Sequence, residues 1–181
     1  MQASIEVSRW IESLLNVTVF NRAVSGERTD TMDARWGTDI SPLAGRCKYV
    51  VIQGGVNDFG QSRALAAVQA SVTSMHDKAI ADGLIPVHFT CTPATGIIDV
   101  AGDEANRKTF NAWLLASGWN VVDIASVVDP GNSGALTVDA GDGTHYGAAA
   151  KKAIGIYAAS SPIWSFTRPT PYQKVTAATY P

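Results

Sequence analysis

The chain has 181 residues, of which 46% are apolar and 17% charged, with a net charge of -2. That composition belongs to one globular domain with a real core and excludes a disordered chain. The pI of about 5.8, without a basic stripe, argues against a nucleic-acid partner, and no stretch approaches the ~20 apolar residues of a membrane span.

In chain order, Trp10, Ile11, Leu14 and Leu15 recur at helical spacing, so residues 4–15 are expected as an amphipathic helix ended by Asn16. Val17–Phe20 is a short β-branched run, expected as a first strand, and residues 21–31 are loop-like. Residues 48–53 form a second strand. Leu65, Val68, Val72, Met75 and Ile80 mark a long helix with Ser62 as its N-cap and Gly83 as its stop. Residues 85–90 make a third strand, with Pro86 near its start, where a missing N–H is tolerable. Phe110, Trp113 and Leu114 lie on a helix ended by Gly118, and residues 121–124 make a fourth strand. A last alanine-rich helix is expected from Tyr146 to about Ala159. Residues 1–160 thus read as one domain, and residues 161–181, with four of the eight prolines, as an irregular tail.

Helices alternate with short strands that are apolar on both faces. This predicts a three-layer α/β/α sandwich around a parallel sheet. In such sheets functional groups collect beyond the carboxyl ends of the strands. Four stretches fall there: "VSGERTD" (24–30), "GGVND" (54–58), "TCTPATG" (90–96) and "DAGDGTHYG" (139–147). Asp142 and His145 are three apart in a glycine-rich loop, a spacing that lets a carboxylate orient an imidazole as a general base. Gly26 offers a close backbone N–H and Asn57 an amide, two donors suited to an oxyanion. Each has a plain structural alternative: a helix-capping Asp beside a surface histidine, or ordinary turn chemistry. Asp58 is expected to cap a helix or tie two loops together.

His76, beside Ser74 and Asp77, is expected in solvent, and His88, inside a strand, in the core. Neither forms a metal-ligand cluster, so no metal is expected. The chain has no GxxxxGK[ST] and no GxGxxG after a strand, so no nucleotide cofactor is expected. Cys47 and Cys91 match no zinc or disulfide framework and read as buried free thiols, with their pairing left open.

Together these blocks resemble the SGNH (GDSL-like) hydrolases. "NRAVSGERTD" stands for the family's second block with Gly26 at its glycine, Gly55-Val56-Asn57-Asp58 for its G-x-N-D, and Asp142-Gly143-Thr144-His145 for its D-x-x-H. The resemblance spans about Ala3 to Ser160. It implies a flavodoxin-like sheet and a serine esterase or lipase acting on small carboxylic esters or sugar O-acetyl esters. It gives His145 the part of general base, Asp142 that of its partner, and Gly26 and Asn57 parts of the oxyanion hole. Tyr146 stands where the family often has proline.

The family's Gly-Asp-Ser block, which carries the nucleophile on the first strand, is absent. Three explanations stand. The sequence is a fragment with Met1 internal to a longer reading frame. Or "KVTAATY" (174–180) fills the strand position. Or a partner copy supplies the strand, making a homo-oligomer that completes the sheet. Ser4, Ser8 and Ser25 are the substitute nucleophiles within reach. The competing function is a non-catalytic binding or structural module on the same scaffold. Residues 1–6 lack the basic and apolar regions of an export signal, and the compartment stays open.

Overall fold

A computed structural model describes residues 2–98 and 100–165, and of residues 2–6 the backbone only. The described elements are α1 (Gln2–Leu15), α2 (Thr29–Ala34), α3 (Trp36–Asp39), a 3-10 helix (Ser41–Arg46), β1 (Tyr49–Ile52), α4 (Val56–Phe59), α5 (Leu65–Ala81), β2 (Ile85–Phe89), α6 (Ala101–Ala116), β3 (Val121–Val122), α7 (Ala125–Val128) and α8 (Ala148–Ala159). The strands pair in the order β1-β2-β3, all parallel, with Tyr49 opposite Ile85 and His88 opposite Val121.

Two cores lie on opposite faces of this sheet, which makes the expected three layers. On one face, Ile52, Leu84 and Cys91 pack with Phe59, Met75 and Phe110 beneath α5 and α6. On the other, Val87, Phe89 and Val122 pack with Ile11 and Ile154 beneath α1 and α8. Side chains alternate across a strand, so a strand buried on both faces must be apolar throughout. β2 is such a strand, with all but its first residue buried; His88 is its polar exception and bonds His76 at 3.0 Å. α1 and α8 touch where Gly155 meets Trp10: a Cβ at Gly155 would overlap that side chain.

Helix ends follow the sequence signals in most places. Asn16, with φ of 52°, leaves α1 in the left-handed region, and Gly83 (74°) and Gly118 (76°) do the same after α5 and α6. Ser62 is a correction. It takes φ of 51° and donates its hydroxyl to Asp103, while Ala64 occupies the N-cap of α5.

The expected first strand is the larger correction. Val17–Phe20 forms no strand among the described residues. A strand exists only through the backbone groups of a neighbour, and this segment uses Glu12 instead. Val17 N–H donates to the Glu12 carbonyl (3.2 Å) and Val19 N–H to Glu12 Oε1 (2.7 Å). The outer edge of β1 pairs with no described strand, and Val51 in its middle is 42% exposed. The segment "KVTAATY" (174–180) lies outside the described residues, as does most of the tail.

Both cysteines are free thiols; Cys91 is buried and Cys47 half-buried. Burial pushes the Cys91 thiol up to about 12, so it stays protonated and inert.

Candidate active site

Between α1, residues 17–27 and the outer edge of β1 runs a cavity of about 770 Å³. Apolar side chains such as Ile11, Leu15, Val19 and Val51 line its length. Gly26, Asn57 and His145 lie along the same cavity. Three of the four expected site residues therefore share one space, and the fourth, Asp142, reaches it through His145.

His145 Nδ1 stands 2.6 Å from Asp142 Oδ2. The same carboxylate receives the backbone N–H groups of His145 (2.8 Å) and Thr144 (2.9 Å) at its other oxygen. Those donors, the His145 backbone first, hold the Asp142 carboxyl well below the usual carboxylate range. An ionised Asp142 keeps the proton on Nδ1 and so leaves Nε2 of the neutral ring as the basic nitrogen. The pair is open to solvent, with side chains 53% and 49% exposed. Its loop closes on itself: Ala140 N–H donates to the His145 carbonyl (2.8 Å), and Gly147 N–H to Val138 (3.1 Å).

The opposite wall is built differently. Gly55, at φ of 110°, turns the chain out of β1 into α4, and a Cβ there would crowd Cys91 Sγ at 3.1 Å. Asp58 then points inward and is fully buried. It accepts from Thr29 N–H (3.0 Å), Thr29 Oγ1–H (2.7 Å) and Arg63 Nη1 (2.8 Å). Asp58 thus ties the 28–29 loop to the 55–63 loop. Asn57 donates from Nδ2 to the Glu27 carbonyl (3.0 Å), one residue past Gly26. An amide nitrogen has two N–H groups, so this bond fixes the side chain beside Gly26 and leaves its second donor. Gly26 itself is exposed, with φ of 75°.

Among the described residues Ser8, on α1, and Ser25, beside Gly26, are the serines that line the cavity. The side chain of Ser4 is outside the description.

Sequence reasoning passed over two polar groups past the strand ends, Gln53 and Thr92, and noted Tyr146 only as the start of the last helix and for replacing a proline. Gln53 follows β1, Thr92 follows β2, and Tyr146 follows His145. Gln53 Nε2 donates to the Tyr146 hydroxyl (3.0 Å), which shares a 2.8 Å bond with Thr92 Oγ1. The signal available was positional, since both Gln53 and Thr92 sit just past carboxyl ends of strands. His76 is a further correction. It is not solvated but half-buried, stacked on Trp119 with ring centroids 4.0 Å apart, and bonded to His88 at 3.0 Å. Neither lines the cavity.

Residues 6–153 match the GDSL-like Lipase/Acylhydrolase family. The chain belongs to that family. No curated protein matches it. Among solved structures, the chain resembles a G-D-S-L family protein from Desulfitobacterium hafniense, at 21% identity and a TM-score of 0.72, over 84% of this chain and 86% of that one. It also resembles a GDSL-like lipase from Bacteroides thetaiotaomicron, at 18% identity and a TM-score of 0.72, over 86% and 81%. An acetyl-xylooligosaccharide esterase from Geobacillus stearothermophilus aligns at 16% identity and a TM-score of 0.63, over 87% and 78%. Family membership makes the chain a member of the acylhydrolases, with an α/β fold and a parallel three-stranded sheet. No described helix is long and apolar enough to cross a membrane, and no metal-ligand cluster occurs among the described residues.

Proposed function

We propose that this member of the GDSL-like family hydrolyses small carboxylic esters, sugar O-acetyl esters among them, through a serine acyl-enzyme. The observation that carries the reading is the 2.6 Å contact between His145 Nδ1 and Asp142, on a ring that lines the same cavity as Gly26 and Asn57. His145 Nε2 takes the proton of a serine hydroxyl as its oxygen bonds to the ester carbonyl carbon. The carbonyl oxygen becomes an anion, held by the Gly26 N–H and the free Asn57 N–H. As the intermediate collapses, the C–O bond to the alcohol breaks and His145 returns the proton to it. Water then attacks the acyl-serine by the same route and releases the acid. No cofactor or metal takes part in this scheme. The likeness to an acetyl-xylooligosaccharide esterase supports including O-acetyl sugars among the substrates to be tried.

The test is p-nitrophenyl acetate turnover together with labelling by a fluorophosphonate probe and mass mapping of the labelled residue. The expected result is one labelled serine and a loss of roughly 10³-fold in kcat for His145→Ala. Turnover and labelling no greater than those of His145→Ala would reject the hydrolase reading in favour of a binding module that keeps the scaffold without the chemistry.

A further inference from the structure

The Asp142–His145 pair owes its internal geometry to its own loop, but its place over the cavity has another source. Every bond that shapes the pair comes from residues 138–147 themselves. The loop is exposed and carries two glycines in the left-handed region, Gly141 (φ 97°) and Gly143 (φ 70°). Such a loop holds its shape without holding its position. Among the described residues, few polar ties join it to the rest of the site. The Gly143 carbonyl accepts from Gly96 N–H and from Thr95 Oγ1–H, both at 3.3 Å, near the limit of a useful bond. The phenol of Tyr146 makes the two shorter ties, to Gln53 at 3.0 Å and Thr92 at 2.8 Å.

We infer that Tyr146 is the positioning residue of this site: its hydroxyl pins the histidine loop to the carboxyl ends of β1 and β2 at once. It adjoins His145 in sequence, is buried, and its ring packs in the core beneath α1 and α8. It therefore joins the loop to two strands and a core through one side chain. Burial pushes its phenol up to about 12, so the group stays neutral and serves as both donor and acceptor at working pH. Displacement of a catalytic group by ~1 Å can cost on the order of 100-fold in rate, because the reacting atoms no longer meet.

This inference rests on the hydrolase reading for its kinetic consequence, though not for its structural one. The test compares wild type, Tyr146→Phe, which keeps the ring and its packing, and Thr92→Val, which removes the same bond from the other side. Tyr146→Phe is expected to lower kcat about 100-fold with KM within about twofold, and Thr92→Val to lower kcat in the same direction. Amide hydrogen exchange should speed up at Gly96, which bonds across to the loop, and stay unchanged at Ala140, which bonds within it. That split marks a loop that moves whole, which unfolding of the loop would not produce. Unchanged exchange at Gly96 in both variants, or faster exchange with unchanged kcat, overturns the assignment. If wild type turns over no ester, the hydrolase reading falls alone, and the Gly96–Ala140 split still decides whether Tyr146 fixes the loop.

Discussion

The two walls of the cavity each carry an aspartate from the family's motifs, and the two aspartates live in opposite environments. Asp58 is fully buried and spends its oxygens on Thr29 and Arg63, whose side chain is itself 17% exposed. Asp142 is half exposed and spends its oxygens on its own loop and on His145. A buried carboxylate must be paired or it destabilises the fold, whereas an exposed one is screened and free to serve a neighbour. The contrast teaches that sequence motifs of equal rank need not do equal work. The first aspartate supports the scaffold, and the second supports the imidazole.

Substitutions that strike the two walls differently test this contrast. The largest effect is expected from Asp58→Ala, which takes from Arg63 its nearest carboxylate, at 2.8 Å, and opens a void at a fully buried site. Loss of one member of such a pair typically costs about 3–5 kcal/mol, read as a lower urea midpoint with an unchanged slope. A midpoint equal to wild type would show that Asp58 is not the brace described.

Between pH 6.5 and 4, acid sensitivity is expected from a buried histidine outside both walls. His88 is buried, bonded to His76 at 3.0 Å, and its Nδ1 has no hydrogen-bond partner. Burial first, then the neighbouring His76, lowers it from the ordinary 6.5 to about 4. The folded state thus favours neutral His88. Its stabilisation is complete above pH 6.5 and is lost as pH falls toward 4, by about 3 kcal/mol over that window. Urea unfolding at a series of pH values should show this loss in wild type and a flatter profile in His88→Phe.

Gly155→Ala is expected to cost about 1–3 kcal/mol, because the new methyl meets Trp10 where α1 and α8 touch. This sets a baseline for packing damage remote from both walls. The smallest change in stability is expected for Asp142→Asn and His145→Ala, whose melting temperatures should match wild type while turnover is lost. Variants of the exposed wall that unfold the protein would erase the distinction between the two aspartates.

Much of this was legible in the sequence because its signals are local. Helical periodicity marked α1, α5, α6 and α8, Asn16, Gly83 and Gly118 marked the ends of the first three, and apolar runs marked β1 and β2. The D-x-x-H spacing in a glycine-rich loop permits a carboxylate beside an imidazole, and the structure shows them 2.6 Å apart. Gly26 and Asn57 were nominated by position past strand ends, and the fold brings both to the cavity that His145 lines.

Other features needed the tertiary structure, because they depend on residues far apart in the chain. Val17–Phe20 has the composition of a strand, but strand formation is decided by a partner's backbone, and Glu12 takes its donors instead. His76 carries a surface pattern, but Trp119 and His88 arrive from distant segments to cover it. The Tyr146–Gln53–Thr92 junction joins three segments up to 93 residues apart. What the sequence by itself determined is the family, the layered α/β plan and the Asp142–His145 pair. Only the tertiary structure decided which aspartate is buried, which edge of β1 pairs with no described strand and what holds the histidine in place. Burial and pairing are properties of the whole packed chain, and a local pattern does not contain them.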